Sequence, residues 1–322
     1  MPNDKRMWRG RATRLGKWLG LSVVVSIAAI AIARARVARW LPNAIVTTPN
    51  ADRTFEARDD ASAGELAALG VSRQLRVAVG PPDASLSVWI VEPSAGAPHA
   101  TVLVCHGLHD QKRSLLPVAK HLAADGYRAV LVDLRGHGRS SGRWLTYGFV
   151  EAADLSQVLD ALERENLLTG PVGVYGTSYG AACALMVAGR DPRVRAVVSV
   201  APFTTMQDEV PYFIRHSSKV PRWFITDETI ARAINDAGKL AGFDPKQASP
   251  LTAIQNTQAH VLLIHGEPDE KVSTEYSRQL HAATPRLSQL MLIPSAGGHD
   301  LLFRDRGGAI ARATQAWFKE WL

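Results

Sequence analysis

Cysteine is nearly absent: Cys105 and Cys183 are the only two in 322 residues. So sparse a pair excludes a disulfide-built scaffold and a CxxC metal site. Charged residues are only 21% and hydrophobic residues reach 46%, which excludes a disordered or coiled-coil chain and leaves enough apolar surface for a normal core. There is no HExxH, no GxGxxG and no Walker spacing, so neither a zinc-peptidase site nor a nucleotide site is indicated, and no metal or cofactor is expected. There is no twin-arginine pair. No apolar run approaches the length of a long membrane span; the best is Leu19–Ala33, LGLSVVVSIAAIAIA.

The formal charge of +7 at first points to nucleic acid, but its location does not. Residues 1–40 carry Lys5, Arg6, Arg9, Arg11, Arg14, Lys17, Arg34, Arg36 and Arg39 against Asp4 alone. The remainder holds 28 basic against 29 acidic residues, so the body is neutral and no nucleic-acid face is implied. Six of these basic residues precede the apolar run and three follow it. Trp18 and Trp40 flank it, about 33 Å apart along a helix at about 1.5 Å per residue, which matches a bilayer core with an aromatic at each interface. Arg34 and Arg36 would then snorkel outward. Residues 1–40 are therefore expected to be a membrane anchor in contact with the lipid bilayer. The positive charge before the run keeps the N-terminus cytoplasmic and places the body outside. The competing reading is a cleaved signal peptide with Ala31-Ile32-Ala33 as its cleavage site, which also exports the body.

Residues 41–72 read as a linker with a short helix near Ala61–Leu69. A hairpin follows: Leu75, Val77 and Val79 alternate, Gly80-Pro81-Pro82-Asp83 turns, and Leu86–Val91 is apolar. Short β-branched runs then alternate with helical patterns. The runs are Thr101–Cys105, Ala129–Asp133, Val172–Tyr175, Val194–Val200, Val261–His265 and Leu290–Ile293, and helices fit Pro117–Asp125, Val150–Glu165, Tyr179–Gly189, Thr274–Ala283 and Ile310–Leu322. Continuous apolar strands separated by helices predict an α/β domain over 73–322, its mostly parallel sheet covered on both faces. Between Val200 and Val261 no strand is evident. A structureless loop of that length is improbable, so residues 203–258 are expected to be a helical cap.

Gly176-Thr177-Ser178-Tyr179-Gly180 matches G-x-S-x-G between a strand and a helix. That context makes it a nucleophile elbow, a turn that pushes the serine hydroxyl out at the sheet edge. A serine hydroxyl needs a base, and the base needs an orienting carboxylate, in the chain order serine, acid, histidine. Asp269 and His299 both follow later strands, at the carboxyl edge where the groups of open α/β sheets gather; Glu267 is the alternative acid. The oxyanion is expected to meet the backbone N–H of Tyr179 and of Leu108, with Gly107 letting the chain approach. His106 reads as a structural loop residue, Asp133–Ser140 as a tight turn, and Cys105 and Cys183 as inert packing.

These motifs resemble the α/β-hydrolase fold superfamily: Cys105-His106-Gly107, Asp133-Leu134-Arg135-Gly136-His137-Gly138-Arg139-Ser140, the elbow, His265-Gly266-Glu267-Pro268-Asp269 and Gly298-His299, in the superfamily's order. Thr146-Tyr147-Gly148 and Ala201-Pro202-Phe203 make the chain similar to serine aminopeptidase S33-like and dienelactone hydrolase-like bacterial hydrolases. The resemblance implies Ser178, Asp269 and His299 as the triad and hydrolysis through an acyl-enzyme without cofactor. The aromatic cap favours a small-molecule carboxylic ester, with a thioester as a variant. An aminopeptidase is the alternative, its substrate ammonium held by Asp208, Glu209, Asp227 or Glu228. A non-catalytic, membrane-displayed binding module is a third reading, against which the retention of all three triad residue types argues.

Overall fold

The computed structural model describes residues 4–53, 60–217, 220–294, 298–300 and 308–322; for 4–21, 23, 217 and 300 it describes the backbone path alone. The apolar runs become eight strands: β1 (Arg73–Val79), β2 (Ala84–Val91), β3 (Ala100–Cys105), β4 (Tyr127–Val132), β5 (Val172–Thr177), β6 (Val194–Val200), β7 (His260–Glu267) and β8 (Ser288–Pro294). They form one sheet in the order β1-β2-β4-β3-β5-β6-β7-β8. β1 and β2 pair antiparallel, with Arg73 opposite Ile90, and β2 is antiparallel to β4. From β4 across to β8 every pairing is parallel.

Alternate strand residues feed opposite cores, as a pleat requires. Leu103 and Cys105 join one core with α4 (Phe149–Arg164), α5 (Tyr179–Ala188) and α9 (Thr274–Ala283). Val102 and Val104 join the other with α3 (Leu116–Ala124) and α10 (Ala309–Trp321). Both faces are therefore dry, which is why the strands lack polar alternation. β5 sits mid-sheet, and the turn that leaves it points from the carboxyl edge.

The long helix α1 (Asp4–Val46) carries the basic and apolar leader. No helix among the described residues is long and apolar enough to cross a membrane. The start of the expected span, Trp18 to Leu21, lies outside the residues whose side chains are described.

The far end of α1 differs from the expected open linker. Leu41, Ile45 and Val46 are buried against the cap helices α6 (Met206–Ser217) and α7 (Asp227–Ala241). Thr47 bridges Trp144, and Leu145 N–H donates to Val46 O at 2.7 Å. Thr48 Oγ1 donates to Gly142 O (2.7 Å), and Asn50 Nδ2 donates to Gly138 O (2.9 Å) and Ser140 O (3.2 Å). Gly136, at φ +69°, leaves room for Thr48, since a Cβ there would stand 2.3 Å from that side chain. Scattered charges around Pro42 and Pro49 hid this lock from the sequence. The short helix further on is α2 (Ala63–Leu69), capped by Ser62.

The insertion between β6 and β7 holds α6, α7 and α8 (Pro250–Asn256). α6 and α7 are amphipathic and bury Met206, Val210, Ile230, Ala233, Ile234 and Ala237. α8 departs from the cap expected over 203–258: Thr257 Oγ1 donates to Ala188 O at 2.9 Å, and a Cβ on Gly189 would meet Ala253 O at 2.5 Å. It packs on α5 and covers the sheet rather than the site.

Candidate active site

The chain turns from β5 into α5 at Ser178, whose φ of 52° and ψ of −116° put a non-glycine residue on the strained left-handed side. The strain is held by its neighbours. Ser178 N–H donates to Val200 O at 2.7 Å. A Cβ on Gly176 would lie 2.2 Å from Gly180 O, and one on Gly180 would lie 2.4 Å from Cys105 O, so the elbow closes only with both glycines. An incidental serine in an ordinary βα loop has no reason to be so held.

Two distant loops bring the partners. His299 Nε2 is 2.8 Å from Ser178 Oγ, and His299 Nδ1 is 2.9 Å from Asp269 Oδ2. Asp269 follows β7, and its Oδ1 accepts the N–H groups of Lys271 (2.8 Å) and Val272 (2.9 Å). Glu267, the alternative acid, points away and pairs with Arg278 at the surface. Burial alone would raise the Asp269 pKa. Hydrogen bonds from His265, His299 and the Val272 amide outweigh burial and hold the carboxyl well below its usual range.

His265, at the end of β7, opens a motif visible in the sequence but has no role assigned to it there. Its Nε2 lies 3.3 Å from Asp269 Oδ2 and 3.1 Å from Val272 O, and its Nδ1 lies 2.7 Å from Ser277 Oγ. With the proton on Nε2, it donates to Asp269 and accepts from the Ser277 hydroxyl. The available signal was a histidine four residues before the acid in an otherwise apolar strand. Tyr212 of α6 also reaches this loop, its hydroxyl donating to Asp269 O at 3.1 Å.

Tyr179, the first residue of α5, directly follows Ser178. Gly107 lies against the elbow, where a Cβ would stand 3.6 Å from Ser178 Cβ, so the loop that carries Leu108 borders the serine from the other side. His106 fixes that loop: Nδ1–H donates to Gly107 O (2.7 Å) and Nε2 accepts from Leu134 N–H (3.0 Å). Burial lowers the His106 pKa, which keeps it in this neutral tautomer. Asp133 accepts Lys112 N–H (2.7 Å) and Arg139 N–H (2.8 Å) and pairs with Lys112 Nζ, so its turn is a structural knot. Burial pushes the Cys105 thiol up to about 12, far from a reactive thiolate.

Glu151 of α4 was also unforeseen. Fully buried, it accepts from the Tyr179 hydroxyl (2.8 Å) and from the N–H groups of Thr146 (3.1 Å) and Gly148 (3.0 Å). The Tyr179 hydroxyl in turn accepts from Tyr147 N–H at 3.0 Å, and the Tyr147 hydroxyl donates to Ile45 O of α1 at 3.1 Å. The signal was an acid three residues past Gly148 on the first turn of an apolar helix.

The four cap acids separate. Asp227 pairs with Arg215 and Glu228 with Arg232 at the surface. Asp208 accepts the hydroxyls of Thr204 (2.7 Å) and Thr205 (2.6 Å). Glu209 alone is buried, and its Oε2 has no hydrogen-bond partner among the described residues. Burial, then the charges of Asp269 and Asp208, push its pKa well up, so its surroundings disfavour the ionised form.

A family model described as serine aminopeptidase, S33, matches residues 96–243, just under half of the chain; it includes Ser178 and ends before Asp269 and His299. The Bacillus subtilis (strain 168) protein YqkD is 30% identical over 192 residues, 58% of this chain and 61% of its own length. The chain thus matches less than two thirds of that relative. The Pyrococcus furiosus esterase Pf2001 superposes with a TM-score of 0.64 at 18% identity, covering 84% of this chain and 99% of the esterase. The Pyrococcus horikoshii acylaminoacyl peptidase superposes with a TM-score of 0.57 at 17% identity, covering 78% of this chain and 41% of the peptidase. At such identities the two structures share the fold and nothing finer.

Proposed function

We infer from the fold and the family match that this chain belongs to the α/β-hydrolase superfamily and is a serine hydrolase, and we propose that it cleaves a carboxylic ester. Ser178 is the nucleophile, His299 the general base and acid, and Asp269 the orienting carboxylate. The observation that carries this reading is the continuous hydrogen-bond chain Ser178–His299–Asp269, at 2.8 and 2.9 Å.

The steps follow from that chain. Ser178 Oγ adds to the ester carbonyl as its proton passes to His299 Nε2. Asp269, held ionised, accepts a hydrogen bond from Nδ1–H, which keeps its proton, and stabilises the imidazolium. The N–H groups of Tyr179 and Leu108 receive the oxyanion. Collapse expels the alkoxide, which takes the proton from Nε2. Water, deprotonated by the same imidazole, then attacks the acyl-enzyme, the acid departs and Ser178 regains its hydrogen.

The aminopeptidase reading now rests on Glu209, the one cap acid with a buried oxygen left over. Burial and the neighbouring carboxylates work against the ionised form that would pair with a substrate ammonium, which favours the ester. Residues 1–40 are proposed as a membrane tether that leaves the body extracytoplasmic; exposed aliphatic residues from Val24 to Ile32, followed by Arg34, Arg36 and Arg39, support this.

A fluorophosphonate probe and a panel of p-nitrophenyl esters and aminoacyl-anilides test the reading. The wild type is expected to be labelled and to hydrolyse esters, while Ser178→Ala is unlabelled and loses on the order of 10⁴-fold or more in kcat. Turnover of aminoacyl-anilides in preference to esters, abolished by Glu209→Gln, establishes the peptidase instead. A folded but unlabelled wild type establishes the binding module.

A further inference from the structure

We propose that the outer rim of the cap is a lipid-contact surface: Trp223 and Phe213, together with Trp40 of α1, rest in the headgroup layer of an anionic bilayer. The site then draws esters whose acyl chain is already held in that bilayer. This rests on the reading of Ser178 as nucleophile and of α1 as tether, and gives that site its substrate class.

Three observations converge. First, large apolar side chains stand in the open: Trp40 is 64% exposed, Trp223 60% and Phe213 43%. Tryptophan has an apolar body and one N–H donor, which suits a layer apolar on one side and wet on the other. Second, the residues next to them in the chain share one seam. Leu41, next to Trp40, and Phe224, next to Trp223, belong to the same apolar cluster as α6 and α7. The Trp223 and Phe224 rings meet edge to face at 5.8 Å.

Third, the α1 side of the rim is basic. From residue 22 to 46, α1 carries Arg34, Arg36 and Arg39 and no acid, and Arg222 adjoins Trp223. Asp227, the nearest acid in the chain, is taken up by Arg215. Along α1 the exposed aliphatic residues (Val24, Val25, Ile27, Ile30, Ile32) give way to three arginines and then Trp40, so the basic groups and the tryptophan share one end of the apolar stretch.

The rim is also wired to the chemistry. Phe213 at the rim and Tyr212, whose hydroxyl holds Asp269 O, are consecutive residues of α6. One helix thus reaches from the lipid surface to the acid of the triad.

The test uses the full chain in vesicles of phosphatidylglycerol and phosphatidylcholine. Cys105 and Cys183 are buried, so Trp223→Cys offers a single reactive thiol for an environment-sensitive nitrobenzoxadiazole label. A blue shift with a several-fold intensity rise on the vesicles is expected. In the double variant Trp223→Ser/Phe213→Ser, hydrolysis of a vesicle-embedded long-chain p-nitrophenyl ester should fall by about tenfold, as loss of buried aromatic contact predicts. Hydrolysis of soluble p-nitrophenyl acetate and fluorophosphonate labelling should not change. A label that keeps its aqueous emission on vesicles overturns the proposal, as does an equal loss on both substrates. So does a blue shift that grows with protein concentration without lipid, which identifies a second copy of the chain as the occupant. Failure to label Ser178 at all would instead remove the underlying catalytic reading.

Discussion

A carboxylate that orients an imidazole must not take up the proton itself. Asp269 meets that demand through four donors: two backbone amides, His299 and His265. Its lowered pKa fixes the sign of the linkage. The native state binds fewer protons here than the unfolded chain, so this stabilisation is complete above the ordinary carboxylate pKa of about 3.9 and is lost as pH falls through the folded value. Asp269→Asn should therefore be less stable than wild type in thermal melts at pH 7, with the gap closing in strong acid. His265→Phe removes one donor and leaves the backbone donors in place. The carboxylate becomes more basic and favours the His299 imidazolium, so the acid limb of the kcat/KM profile should move to higher pH. The loss in kcat should be about tenfold, the equivalent of one hydrogen bond to a charged group. An unmoved acid limb would reduce His265 to simple packing.

Glu209 carries the opposite sign on the helix that roofs the site. Its pKa is raised, so between the ordinary glutamate value and the folded one the native state binds the extra proton, and stability falls as pH rises through that window. Glu209→Gln keeps the shape and removes the titration. Its melting temperature should gain on that of wild type as pH rises above the ordinary glutamate range and converge with it near pH 4. At the elbow, Gly180→Ala drives a methyl into Cys105 O and His106 O. It should destabilise the fold by about 3 kcal/mol in urea titrations and abolish labelling of Ser178. Elements of this kind were legible because strand and helix periods differ: Thr274–Ala283 was delimited to the residue, and the run Leu75–Val79 gave β1 with its start two residues short and its end in place. Ser178, Asp269 and His299 were legible because each follows a strand that the pattern exposes. His265 and Glu151 were not, because each sits inside a buried element and acts through another residue. The position of α8 was equally hidden, since proline-flanked apolar residues read alike over a cap or over a sheet.

Across the whole molecule, the decisive contact is the docking of α1. Leu41, Ile45 and Val46 are buried by cap helices that would otherwise expose Ile230 and Ile234. At about 1.5–3 kcal/mol for each large apolar side chain, their loss should weaken the domain by about 5 kcal/mol. Deleting residues 1–36 should leave soluble-ester turnover and the melting temperature near those of the full chain, and deleting residues 1–50 should lower both sharply. Equal behaviour of the two deletions would show that the docked end is dispensable.

Stitching at Thr48 and Asn50 onto the Gly136–Gly142 turn leaves no slack between the N-terminal helix and the hydrolase body. A loose leash would let the serine swing through a hemisphere and sample whatever drifts past. Here the mounting is stiff: whichever surface grips that helix also fixes the compass bearing and the standoff of Ser178, and only a bond presented at that height and angle comes within its reach.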